Sequence, residues 1–152
     1  MKPLPYHKPD SVAEAIAPSK ATPEAMFIAG GTDLMVQLKA ERHQPTALIS
    51  LRNLPELQLL KVGRGTEETV LGASIPIREL LKSTVLCDRY PLLMSAMKEV
   101  GSVQIRSAAT IGGNIANASP AADTTPALLA LGASVIVDTV RVPLTDLLTG
   151  PG

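Results

Sequence analysis

The chain has 152 residues, enough for one ordinary domain or two small subdomains, and its 45% hydrophobic content supplies a packed core, so a disordered chain is excluded. Fourteen basic residues balance fourteen acidic ones without a basic block, and Phe27, Tyr6 and Tyr90 are the only aromatics, which leaves nucleic-acid binding without its positive field or stacking rings. No apolar run reaches the ~18 residues of a membrane-spanning helix, MKPLPYHKPD lacks a signal-peptide core, and Cys87 stands alone, so a cytoplasmic protein without an internal disulfide or a cysteine-built metal centre is expected.

In chain order, Asp10 and Ser11 are N-cap candidates for a short helix through Ala17, which Pro18 should stop. Residues 25–29 read as a buried strand. Beyond Gly30-Gly31, the spacing of Leu34, Met35 and Leu38 predicts a helix to about Arg42. The continuous apolar run TALISL, 46–51, fits a strand covered on both faces. Residues 1–52 thus read as a small parallel α/β unit.

From residue 53 the grammar changes. Strands over 57–62 and 69–74 flank the turn Gly63-Arg64-Gly65, as in a hairpin. Ile75-Pro76-Ile77 leads into a helix to Leu81. Pro91 opens another, with Leu92, Leu93, Ala96, Met97 and Val100 as its apolar face. Residues 103–116 read as irregular to extended, 123–131 as helix and 133–138 as strand. The ending, Leu147 to Gly152, is a turn signal that ordinarily leads into a further strand, so a longer fold is expected.

Two stretches carry the chemistry. Ala29-Gly30-Gly31-Thr32-Asp33-Leu34 and Thr110-Ile111-Gly112-Gly113-Asn114 each place paired glycines before a helix, the second at a greater distance. Glycine lets backbone N–H groups approach a diphosphate without obstruction and permits positive φ, while a following helix start adds unpaired N–H groups. Either pair alone is commonly just a turn. GxxxxGK[ST] is absent, which excludes a P-loop, and Gly63-x-Gly65 continues to Glu68 rather than to a third glycine, which excludes the Rossmann fingerprint.

The longer strings AGGTDLMVQLK, 29–39, and TIGGNIANASPAADTTPALLALGA, 110–133, closely resemble the FAD-binding (medium) subunit of the molybdenum hydroxylases, which include xanthine dehydrogenase and aerobic carbon monoxide dehydrogenase. The resemblance covers essentially the whole chain. It implies an α+β, two-subdomain FAD-binding fold of the molybdopterin dehydrogenase type: a small parallel α/β subdomain over 1–52, then a mainly antiparallel α+β subdomain over 53–152, with FAD between them. Ile28, Ala29, Gly30, Gly31, Thr32, Asp33 and Leu34 would wrap the diphosphate. Thr110, Gly112, Gly113 and Asn114 would face it, and Asn117 and Asp123 would bond further along the cofactor. No residue of the chain is required as a catalytic acid, base or nucleophile, nor as a metal ligand.

By the same resemblance, the molybdenum cofactor and 2Fe-2S clusters belong to partner subunits. Electrons would pass from the clusters through FAD to NAD, oxygen or a quinone. Relatives continue well past a TGP-like segment and carry a longer hairpin than Val137 to Val142 allows. The cysteine-bearing insertion of relatives that reduce hydroxybenzoyl-CoA is missing, which argues against that substrate class.

Other residues have plainer readings. Asp123 suits the N-cap of the helix that follows it, in addition to a flavin contact. Arg106, the nearest basic residue to either glycine pair, is expected to bond local carbonyls or a carboxylate rather than phosphate. His7, His43, Ser119 and Cys87 lack the context of a metal site or nucleophile. An electron-transfer subunit is the leading reading; the alternatives are a non-catalytic docking module with a partial flavin site and a module that binds only ADP or a nucleotide.

Overall fold

The computed structural model describes residues 3–148. Its first part is a three-stranded, all-parallel sheet built from β1 (Tyr6–His7), β2 (Met26–Ile28) and β3 (Leu48–Ser50), in the order β1-β3-β2. The connections run through α1 (Val12–Ala21) and α2 (Leu34–Lys39). As the central strand, β3 is covered on both faces. Ile49 packs with Ala15 of α1 and Leu54, whereas Leu48 packs with Ile28 and Leu38 of α2. Alternation along the strand thus sends its two apolar side chains into two separate clusters. The expected buried strand at 25–29 is instead an edge strand: Ile28 is buried, but Phe27 is 44% exposed.

Two helix limits differ from expectation. Helix α1 runs through Pro18 to Ala21. Its start is fixed by Ser11, whose Oγ accepts from Glu14 N at 3.1 Å, and beyond the proline the Thr22 amide closes the last turn on Pro18 O at 2.8 Å. A proline removes one helical hydrogen bond, but the turn after it closes normally. Helix α2 stops at Lys39 rather than Arg42, because Glu41 adopts φ 56.

The second part begins with a 3-10 turn at Pro55–Leu57 and a hairpin, β4 (Leu60–Lys61) and β5 (Val70–Leu71), antiparallel as expected but much shorter. Seven helices follow: α3 (Ile77–Leu80), α4 (Thr84–Arg89), α5 (Pro91–Glu99), α6 (Val103–Arg106), α7 (Ile111–Asn117), α8 (Thr124–Ala130) and, after the hairpin of β6 (Ser134–Val137) and β7 (Val140–Pro143), α9 (Leu144–Leu147). Arg89 Nη2 donates to Gly65 O and Glu67 O at 2.6 and 3.0 Å, which pins the first hairpin's turn to α4. The β6–β7 hairpin closes directly from Val137 to Val140, with Asp138 at φ 57. The turn expected at the chain end lies largely outside the described residues.

The core of this part gathers Ile77, Leu80, Leu86, Met97, Leu128 and Leu144. On α5 the buried residues are Leu93, Met94 and Met97, so the apolar face is rotated from the expected one and Leu92 is exposed. Residues 103–116 are a correction: they form α6 and α7, not an extended segment. Glycines and β-branched residues are weak helix formers, but each short helix is started by a side-chain cap. Ser102 Oγ accepts from Ile105 N at 3.2 Å and Thr110 Oγ1 accepts from Gly113 N at 3.0 Å.

Because Ile49 is fully buried at the centre of the sheet while Phe27 lies on an edge, Ile49→Ala should cost ~2–5 kcal/mol and Phe27→Ala less than half as much, as read from urea denaturation midpoints.

Candidate functional site

The segment Ala29 to Asp33 follows the carboxyl end of β2 and enters α2, the place where open parallel sheets carry their ligands. Gly31 takes φ +70, a turn that glycine makes without strain. Met35 N returns to Gly31 O at 3.1 Å and closes the entry to the helix. No backbone carbonyl of the described residues accepts from the amides of Gly30, Gly31, Thr32 or Asp33. Ile28 and Leu34, by contrast, direct their side chains into the cluster with Leu38 and Leu48, so they offer backbone only.

Gly30 meets the second part of the chain. A methyl group at Gly30 would lie 2.0 Å from Ala108 O and 3.0 Å from Ala109 Cα, far inside contact distance. The absent side chain therefore allows one backbone to lie directly on the other. Ala109 O is held in turn by Ile77 N at 2.8 Å, and Pro76 bridges Thr110, which fixes where α7 begins.

The second glycine pair does a different job. Gly112 and Gly113 form the first turn of α7. Gly112 N donates to Ala73 O at 3.0 Å, and a methyl at Gly112 would lie 2.6 Å from that same oxygen. Gly113 N is taken by the Thr110 cap. These two amides are engaged within the protein, and Gly112 permits close packing on Ala73.

Side chains join the two segments. Gln37 of α2 donates from Nε2 both to Asp33 Oδ2 and to Asn117 Oδ1, the latter at 3.0 Å, and its Oε1 contacts His43 Nε2 at 2.7 Å. One turn before Asn117, the Asn114 Oδ1 accepts from the fully buried Thr124 hydroxyl at 2.5 Å. Asp123 is exposed and stands at the N-cap position of α8 as expected, but its side chain makes no capping bond there. Neither glycine loop contains Lys or Arg, and Arg106 Nη1 binds the local carbonyls Val100 O and Gly101 O, both at 2.9 Å, as expected. Among the described residues no three His, Cys, Asp or Glu side chains gather as a metal site.

Every residue expected near the cofactor thus lies on one of two segments that meet at Gly30–Ala108 and Gln37–Asn117, with Asp123 next to the Thr124 anchor. Gln37, Ala73, Ala108 and Thr124 were not singled out from sequence. Gln37 carried one available signal, its place one turn after Asp33 on the same helix face. The contrast between the helical glycines is testable. Gly112→Ala should destabilise by ~1–3 kcal/mol through collision with Ala73, whereas Gly113→Ala, facing only Thr110 Oγ1 at 3.0 Å, should stay within ~1 kcal/mol of the parent in thermal melts.

The sequence and the fold are similar to those of known proteins. Residues 2–152 match the family model described as FAD binding domain in molybdopterin dehydrogenase. The chain is 29% identical to the xanthine dehydrogenase FAD-binding subunit of Escherichia coli O157:H7 over 97% of this chain and 51% of that protein. It is 34% identical to the carbon monoxide dehydrogenase medium chain of Hydrogenophaga pseudoflava, over 88% of this chain and 46% of that one. Its fold superposes on a chain of quinoline 2-oxidoreductase from Pseudomonas putida 86 with a TM-score of 0.90 and 27% identity, covering 99% of this chain and 54% of that chain. It therefore spans about half the length of the relatives it matches. With a family model matched along nearly all of its length and the α+β fold of solved relatives, the chain belongs to the FAD-binding domain family of the molybdopterin dehydrogenases.

Proposed function

We propose that this chain is the FAD-holding part of an electron-transfer subunit in a multi-subunit molybdenum-containing hydroxylase or dehydrogenase of the cytoplasm. Substrate oxidation belongs to a molybdenum-cofactor subunit, and an iron–sulfur subunit delivers electrons that leave to an external acceptor such as NAD, oxygen or a quinone. FAD supplies the chemistry of the relay, exchanging electrons singly or in pairs, and the protein supplies its binding and electrostatics.

The observation that carries this reading is the run of amides from Gly30 to Asp33, none of them bonded to a backbone carbonyl of the described residues, beside the close Gly30–Ala108 approach. Consecutive N–H groups of this kind form an anion cradle. Their geometry suits a diphosphate whose charge is met by dipoles rather than by a cation. In this reading Ile28, Ala29, Gly30, Gly31, Thr32, Asp33 and Leu34 line one side, the backbone doing most of the holding. Thr110, Gly112, Gly113 and Asn114 line the other: Thr110 caps the turn, Gly112 seats it on Ala73 beside Gly113, and Asn114 offers its carboxamide. Asn117 and Asp123 extend that wall along the cofactor, and residues 1–52 and 53–152 act as its two sides.

FAD added to the intact chain should bind with quenching of flavin fluorescence, and ADP should compete at least tenfold more weakly, a gap of about 1.4 kcal/mol. Folded protein that leaves flavin fluorescence unchanged contradicts the proposal; ADP binding as tight as FAD converts it to a nucleotide module.

A further inference from the structure

Resting on the flavin-binding reading, we infer that Gln37 is a positioning residue that sets the polarity of Asn117, so that Asn117 meets the ligand as a hydrogen-bond donor. An ionised carboxylate only accepts hydrogen bonds. The Gln37 atom facing Asp33 is therefore the NH2 group, Nε2, and its carbonyl Oε1 faces His43 Nε2, which must carry a proton. The same Nε2 faces Asn117 at 3.0 Å, so the Asn117 atom there is its carbonyl oxygen. With that oxygen occupied, the Asn117 NH2 group is what remains for a ligand.

Asn114 stands beside Asn117, its carboxamide 2.5 Å from the Thr124 hydroxyl, a group that donates and accepts alike and so accommodates either orientation. Asn114 and Asn117 are three residues apart on α7 and share a helix face. α7 thereby offers at Asn117 a neutral side-chain donor whose orientation is fixed from behind by Gln37 and His43. A donor there selects ligand acceptors such as phosphate oxygens, and it does so without Lys or Arg.

The test uses the intact chain, FAD fluorescence titration and an uncharged, near-isosteric change. Gln37→Met removes the donor and should weaken FAD binding about tenfold (about 1.4 kcal/mol), with the thermal midpoint showing that the variant folds. In a double-mutant cycle, Asn117→Ala should weaken the parent about tenfold and add little to Gln37→Met, because both act on one contact. Additive losses, or Gln37→Met binding FAD as the parent does, overturn the inference, since a merely structural role gives one of those results. A second readout needs no flavin: in the ¹⁵N spectrum the neutral His43 ring should carry its proton on Nε2, and a proton on Nδ1 overturns the relay. A parent chain that binds no FAD, with His43 protonated on Nε2, overturns the flavin reading and leaves the Gln37 orientation standing.

Discussion

The arrangement depends on a contact that has no side chain in it, the backbone of Gly30 lying on the carbonyl of Ala108. Even a single methyl group would lie 2.0 Å from that oxygen, well inside van der Waals contact. This approach brings the end of a parallel strand beside a turn of the helical part. The loop after β2 and the start of α7 then stand together, and the Gln37–Asn117 bond ties them a few residues further on. If the two backbones were held apart, the open amides and the asparagine pair would sit on separate surfaces.

Two similar glycine pairs achieve different ends. In the first, Gly31 turns the chain with φ +70 and the neighbouring amides are left open. In the second, both amides are satisfied internally, by Ala73 O and Thr110 Oγ1, and the missing side chain of Gly112 lets α7 press onto Ala73, just beyond β5. The charge logic agrees with this division. With Arg106 held on local carbonyls and no Lys or Arg in either glycine loop, an anion between the segments would be met chiefly by backbone dipoles and neutral amides.

Much of this was legible in the residues. TALISL announced a strand buried on both sides, and Leu48 and Ile49 occupy two separate clusters accordingly. The glycine pairs and the strings around them pointed to the family and to most of the residues that meet. What escaped the sequence was decided by tertiary contact. Residues 103–116 are rich in glycine and β-branched side chains, so local propensity argues against helix, yet Ser102 and Thr110 cap the two short helices formed there. The helix α1 survives Pro18 because its following turn closes on Pro18 O. Gln37 was overlooked because its role lies in an amide bridging residues 80 positions apart, which no local pattern encodes.

The most direct measurement is amide hydrogen exchange on the intact chain with and without FAD. The amides of Gly30 to Asp33, open in this structure, should exchange quickly alone and slow markedly when FAD is bound, while those of Gly112 and Gly113 should be protected in both states. FAD bound with Gly30 to Asp33 still exchanging freely would contradict the account, because the diphosphate would then be held somewhere other than the loop after β2.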